Sequence, residues 1–243
     1  MSEHPLDNPT WHALTGPLAH VAIGAGSARC FRPEMSVFAG IADESAEAWD
    51  QLAMASAGTE VILNRRAELS MPAEWTFIGG GAGYQMLLEG EPQYGAIDVP
   101  IRPLGDTDVE AMTTLVSLTE PGPWGPRTIA LGGYVGIEVD GTLLAMAGQR
   151  LDLDGYTEIS AVCTHPDARR RGYAAAVTAA VAQGIRAAGK VPILHVAEHN
   201  PGARRVYEQM GFVTRTSLMF SFVRPPARLT QLQPSARPAR DDR

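Results

Sequence analysis

Glu158-Ile-Ser-Ala-Val-Cys-Thr-His-Pro-Asp-Ala-Arg-Arg-Arg-Gly-Tyr-Ala174 is the stretch from which the rest of the chain is read. Residues Tyr156 to Thr164 are rich in β-branched and small apolar side chains, which predicts a strand. His165-Pro166-Asp167 ends it, because proline pushes the preceding residue into extended or turn geometry. From Ala174 to Ala188 the chain is rich in alanine and valine and predicts a long helix. A strand that runs through a glycine turn into a helix start can bind an anion. The first helical N–H groups have no partner within the helix and sit at its positive end. Gly172 offers no Cβ to hinder approach, and Arg169, Arg170 and Arg171 add charge where a polyphosphate would lie. Taken alone, a basic run at a helix start is equally a solvated cap.

A second segment shifts that balance. Val191 to Val196 predicts another short strand, followed by Asn200-Pro-Gly-Ala-Arg-Arg-Val-Tyr-Glu-Gln-Met-Gly-Phe212. Asn200 suits an N-cap, Pro201 the first helical position and Gly211 the left-handed position after the helix. With both segments in view, the chain resembles the GNAT superfamily of N-acetyltransferases, and its FR47-like members in particular. The family's acyl-CoA signature, Arg/Gln-x-x-Gly-x-Gly/Ala, is matched by Arg169, Gly172 and Ala174. Its second signature is matched by Asn200, Ala203, Tyr207, Gly211 and Phe212. Two such motifs in order, each in its strand–turn–helix context, are a specific signal.

The resemblance implies an α/β fold: a mixed, mostly antiparallel central sheet flanked by helices, with acetyl-CoA as co-substrate and no metal. It places the pantetheine arm along the segment Val162, Cys163 and Thr164, with backbone groups of Val162 and Thr164 pairing with its amides. The diphosphate would sit on the N–H groups of Arg170, Arg171, Gly172, Tyr173 and Ala174, and Asn200 and Ala203 would complete the cofactor site. Tyr207 falls where the family keeps its general acid, since a phenol can protonate a departing thiolate. Glu158 lies eleven residues before Arg169, the spacing of the catalytic glutamate in histone-acetyltransferase members. A raised pKa in a partly apolar site would make it the base; a water chain is the alternative. The implied reaction is direct transfer of an acetyl group to a primary amine on a small molecule or peptide. A non-catalytic acyl-CoA sensor on the same scaffold is the rival.

Composition sets outer limits. The chain has 243 residues, 45% of them hydrophobic, and a net charge of −7. That suffices for one large or two small domains and argues against a nucleic-acid partner, which needs a basic face. No apolar run reaches the roughly 18 residues of a membrane span, and no signal peptide is evident. Cys30 and Cys163 are the only cysteines, which fits a reducing cytoplasm. Lys190 is the sole lysine against many arginines, a bias that suggests a GC-rich bacterial genome. Nothing speaks for or against a homodimer.

Three regions are expected. Residues 1–95 form an αβ half, carried over from the resemblance as a divergent version of the same plan that would cover the sheet and help wall the substrate pocket. Within it Trp11–Leu14 and Glu44–Ala55 predict helices, and Val21–Arg29 and Val61–Asn64 predict strands. Gly79-Gly-Gly-Ala-Gly83 does not complete a nucleotide-binding pattern and predicts a flexible hairpin loop before a strand at Tyr84–Glu89. Residues 96–224 form the acetyltransferase domain. It opens with a helix at Asp106–Leu118 and a Pro- and Gly-rich loop in which Trp124 is a candidate substrate contact. Asp140-Gly141 predicts a hairpin turn. Residues 225–243, rich in Pro and Arg, predict a disordered tail. His195-Val-Ala-Glu-His199 spells a zinc-peptidase string. Its histidines would be about 13 Å apart on a strand, too far to share a metal. Cys163 has no recognisable nucleophile partner, and His165 is expected to shape its turn.

Overall fold

The computed structural model describes residues 4–66 and 68–227; the expected tail lies, from 228 onward, outside the described residues. In chain order the strands are β1 (Ala22–Ile23), β2 (Ala28–Phe31), β3 (Phe38–Ile41), β4 (Val61–Arg65), β5 (Thr76–Leu87), β6 (Arg102–Pro103), β7 (Val135–Val139), β8 (Thr142–Leu153), β9 (Tyr156–Thr164), β10 (Val191–Ala197) and β11 (Val213–Arg224). The helices are α1 (Pro9–Thr15), α2 (Ala46–Ser56), α3 (Val109–Thr119), α4 (Tyr173–Ala187) and α5 (Pro201–Gln209). Among the described residues the strands form one sheet in the order β1-β2-β3-β4-β11-β5-β10-β9-β8-β7-β6. Every neighbouring pair is antiparallel except β3–β4 and β9–β10. The expected mixed, mostly antiparallel sheet flanked by helices is therefore present.

Local chemistry explains most element ends. Asp140 and Gly141 both take positive φ, 51° and 75°, which is the geometry a tight hairpin turn between β7 and β8 requires. Asn200 caps α5, its Oδ1 accepting the Ala203 N–H at 3.1 Å, with Pro201 in the first turn. Gly211, at φ 96°, reverses the chain into β11. In α2, Ser45 Oγ accepts the Ala48 N–H at 3.2 Å.

The first half departs from expectation in three places. The single strand expected over Val21–Arg29 is two strands folded about Gly24 and Gly26, both at positive φ. β3, four residues buried throughout, was too short to show a period. The glycine run is strand, not loop: Gly79 to Gly83 lie inside β5, paired with β11 on one side and, at Gly83, with β10 on the other. Crowding explains the glycines. A Cβ on Gly80 would lie 1.9 Å from the Phe220 carbonyl oxygen, and one on Gly83 would lie 2.9 Å from the Phe220 ring and 3.1 Å from the Val196 carbonyl oxygen.

β5 therefore lies between β10 and β11 in the sheet, although it comes from the first 95 residues. Side-chain alternation divides the core into two layers. Leu194, Val196, Ile159, Met86 and Phe212 pack beneath α4 and α5. Ile193, Leu151, Leu153 and Phe38 pack on the opposite face with Leu6 and the α1 residues Ala13 and Leu14. α3 covers that second face further along, over Tyr134, Met146 and Cys163.

Candidate active site

β9 and β10 are parallel neighbours only as far as Ile159 and Leu194. Beyond that pair, Ser160 to Thr164 on β9 and His195 to Ala197 on β10 line a common cavity of about 530 Å³. A bulge helps open the seam. Against β8, Gly148 faces Ser160 and Met146 faces Cys163, so Ala161 and Val162 oppose a single residue, and Ala161 takes a φ of 51°. A bulge of this kind bends the strand and frees backbone groups from the ladder. The side-chain hydroxyl of Thr164 is buried there without a hydrogen-bond partner.

The turn after β9 completes one wall. His165 Nδ1 accepts the Asp167 N–H at 3.3 Å, so His165 does shape the turn. Arg170 and Gly172 are both left-handed, at φ 64° and 80°. Gly172 precedes α4 with no side-chain cap. Among the described residues, the N–H groups of Arg170 to Ala174 have no protein acceptor. A Cβ on Gly172 would approach nothing closer than Ile97 at 3.7 Å, so the glycine is needed for its positive φ and not for clearance. Arg169 and Ala174 line the cavity, as do Asn200, Ala203, Val162, Cys163 and Thr164. Arg170, Arg171, Gly172 and Tyr173 contribute no lining. The Tyr173 ring goes into the core, and Arg171 Nη2 donates to the Asp167 carbonyl at 3.3 Å.

Tyr207, on α5, lines the same cavity and is held by edge-on packing against Phe212, with ring centroids 5.9 Å apart. Burial, with a smaller contribution from Cys163, raises its pKa to about 12. Its phenol is therefore protonated across the neutral range. Cys163 is itself pushed up to about 11 by burial, which keeps the thiol neutral and unsuited to attack.

Glu158 does not have the environment expected of a base. Its side chain is fully buried. Burial would raise its pKa, but the neighbouring Arg150 and His195 outweigh this and lower it to about 2. Arg150 Nε donates to Oε2 at 2.9 Å, and Arg150 Nη2 donates to Oε1. His195 Nδ1 also meets Oε1, at 2.7 Å. A carboxylate with both oxygens occupied and no exposure is an anchor for its partners, and the expected raised pKa is corrected to a lowered one.

Those contacts belong to a longer buried chain. Arg215 is the extra residue of a bulge in β11, between Thr214 and Thr216. Its Nη2 donates to Asp7 Oδ1 at 2.8 Å and its Nη1 to Gln85 Oε1 at 2.9 Å. That fixes the amide of Gln85, whose Nε2 donates to the Leu6 carbonyl and to His195 Nε2, both at 3.0 Å. His195 then accepts at Nε2 and donates at Nδ1 to Glu158. The network crosses β11, β5, β10, β9 and β8 and ends on Arg150, whose guanidinium lies 4.2 Å from the Phe38 ring centroid. No described residue of 1–95 lines the cavity; instead Gln85 and Phe38 brace the His195 and Arg150 that do.

Trp124 is not brought to the cavity. Its indole Nε1 donates to Thr113 Oγ1 at 3.1 Å and its ring packs edge-on against Tyr134 at 5.7 Å. The beginning of its loop is there instead: Thr119 to Gly122 line the cavity. His195 and His199 lie on a strand and a turn and not on one helix, so the zinc-peptidase string has none of the required geometry. Among the described residues there is no cluster of three metal-ligating side chains, and no helix is long and apolar enough to cross a membrane. Arg150, Gln85 and His195 were not picked out as site residues. Only His195 carried a signal, as the one polar side chain of an otherwise apolar strand; β5 and β8 hold other polar residues that mask Gln85 and Arg150.

The comparisons agree with this geometry. A family model described as "FR47-like protein" matches residues 134–221. A crystal structure of a GNAT-family protein from Novosphingobium aromaticivorans is 34% identical, covering 93% of this chain and all of that one, with a TM-score of 0.83. A GCN5-related N-acetyltransferase from Kribbella flavida shares the fold at 18% identity, with 91% and 96% of the two chains covered and a TM-score of 0.62. A GCN5-related N-acetyltransferase-like protein from Streptococcus suis does so at 13% identity, with 88% and 92% covered and a TM-score of 0.54. No curated protein shows significant sequence similarity to the chain. From the opened β9–β10 seam, the two signature motifs and a full-length relative at 34% identity, it follows that the chain belongs to the GNAT superfamily of N-acetyltransferases as an FR47-like member.

Proposed function

We propose that the protein is an acetyl-CoA-dependent N-acyltransferase that moves an acetyl group directly to a primary amine, with residues 96–224 carrying the chemistry and residues 1–95 bracing it. One observation carries this reading: Arg169 and Ala174, at the two ends of the unpaired turn before α4, and Tyr207 line one cavity, opened by the parting of β9 from β10. The residues fit an acyl-CoA. The N–H groups of Arg170 to Ala174 would receive the diphosphate, with Arg169 beside them. The Ser160–Thr164 segment, with its open edge and the orphaned Thr164 hydroxyl, would pair with the pantetheine amides. When bound, the co-substrate supplies a thioester whose C–S bond breaks as the amine nitrogen forms the amide.

Tyr207 holds the proton that the departing sulfur needs. Glu158 is clamped by Arg150 and His195 and does not take the ammonium proton, so that proton leaves through water in the cavity. The turn and α4–α5 fix one end of the site while the sheet fixes the other, and this orientation is itself a large part of the rate. Both cysteines are free and buried, in keeping with a cytoplasmic setting. Thermal melting with acetyl-CoA, followed by thiol release with an amine panel, tests the proposal. Stabilisation and amine-dependent release are expected; no stabilisation by any acyl-CoA contradicts it.

A further inference from the structure

The cavity lies at the seam, and its lining comes from both faces of the sheet, which gives it two different ends. Arg169, Ala174, Asn200 and Ala203 line the end beneath α4 and α5. Arg150 and His195 line the other, on the face that carries Phe38 and α1. With the diphosphate at the first end, the acceptor approaches from the second.

Arg150 is the cationic side chain at that second end, and its guanidinium is held rigidly. One edge, Nε and Nη2, is tied to Glu158, and its face stacks on Phe38. Among the described residues both of its hydrogen bonds go to Glu158, so Nη1 and part of Nη2 have no protein acceptor. These donors are not among the buried unpartnered atoms and Arg150 lines the cavity, so they are open to a ligand there. A planar fork of N–H groups matches a carboxylate. Charge narrows the choice further. Arg150 and Glu158 cancel locally, so an acceptor that brings no net charge is favoured over a phosphate or a polycation.

Resting on the acyltransferase reading, we infer that the acceptor is an amino acid-like zwitterion, whose carboxylate is gripped by the free N–H groups of Arg150 while its amine reaches the seam. Arg150 is thus a specificity residue for the acceptor, and Phe38 and Glu158 are positioning residues acting through it.

The test compares α-, β- and γ-amino acids with their primary carboxamides, using acetyl-CoA and thiol release. At least one acid is expected to exceed its amide in kcat/KM by roughly 10- to 100-fold, the worth of hydrogen bonds to a charged group. Arg150→Met leaves the buried Glu158 with His195 as its remaining partner, so the informative variant is the double change Arg150→Met with Glu158→Gln, which removes both charges. In it the acid-over-amide preference should fall to near unity while the KM for acetyl-CoA is unchanged. Equal use of acids and amides, acylation of amides alone, or a preference that survives the double variant overturns the inference and leaves the transferase reading intact. No release with any acid also overturns it; if acetyl-CoA fails to bind as well, the transferase reading falls too.

Discussion

Replacing Glu158 with glutamine separates an anchoring carboxylate from a catalytic base. The two side chains have nearly the same shape, so packing is preserved. The amide nitrogen, however, would face Arg150 or His195, all of them donors, and the guanidinium would lose its counter-charge. Breaking a buried pair by neutralising one partner costs about 3–5 kcal/mol. Linkage gives a second, independent figure. The pKa of Glu158 is lowered from 4.5 to about 2, and at about 1.4 kcal/mol per unit this corresponds to roughly 3 kcal/mol of stability. Because the folded pKa lies below the unfolded one, that contribution is fully present above about pH 4.5 and is lost as the pH falls towards 2. Urea unfolding of both proteins at pH 7 and at pH 3 is the assay. At pH 7 the variant should be less stable by about 3 kcal/mol, with a melting temperature lower by roughly 10 °C. At pH 3 the gap should narrow, because the wild-type carboxylate is losing its advantage while glutamine has none to lose. A gap that is small at pH 7, or constant between the two pH values, would refute the account of Glu158 as a clamped anion.

Other changes probe different links. Tyr207→Phe should lower kcat by about 10²- to 10⁴-fold, the usual worth of a positioned acid, with little change in the KM for acetyl-CoA by thiol release. Gly172→Ala places a side chain at φ 80° in open space. It should cost about 1–2 kcal/mol of backbone strain in a melt and weaken acetyl-CoA binding by calorimetry without abolishing the fold. Gly80→Ala sets a Cβ 1.9 Å from a backbone oxygen, and a loss of about 3 kcal/mol or more is expected by chemical denaturation. Gln85→Leu leaves His195 Nε2 and one Arg215 donor unmet, which should cost about 1–3 kcal/mol and loosen Arg150 from a distance.

What could be seen in the sequence was local chemistry. Arg169 to Ala174 and Asn200 to Phe212 declare a turn and a capped helix through residues adjacent in the chain, and the structure places both at one cavity. Asp140-Gly141 likewise fixed a hairpin by its own backbone preference. What was hidden depends on register between distant strands. Glu158 looked like a base because neither Arg150, across the β8–β9 hairpin, nor His195, on β10, can be put beside it from spacing alone. Its lowered pKa follows from those two neighbours. The run Gly79 to Gly83 looked like a loop because its reason, the closeness of Phe220 and Val196, lies more than a hundred residues away. The insertion of β5 between β10 and β11 is a tertiary fact of the same kind. Trp124 was singled out for its loop, yet Thr113 and Tyr134 hold it away from the cavity.

The decisive observation is a crystal structure of the protein with coenzyme A bound. The account predicts the diphosphate on the N–H groups of Arg170 to Ala174, the pantetheine along Ser160 to Thr164, and the thiol sulfur within hydrogen-bond reach of the Tyr207 hydroxyl. Coenzyme A seated elsewhere, or a thiol directed away from Tyr207, would contradict it.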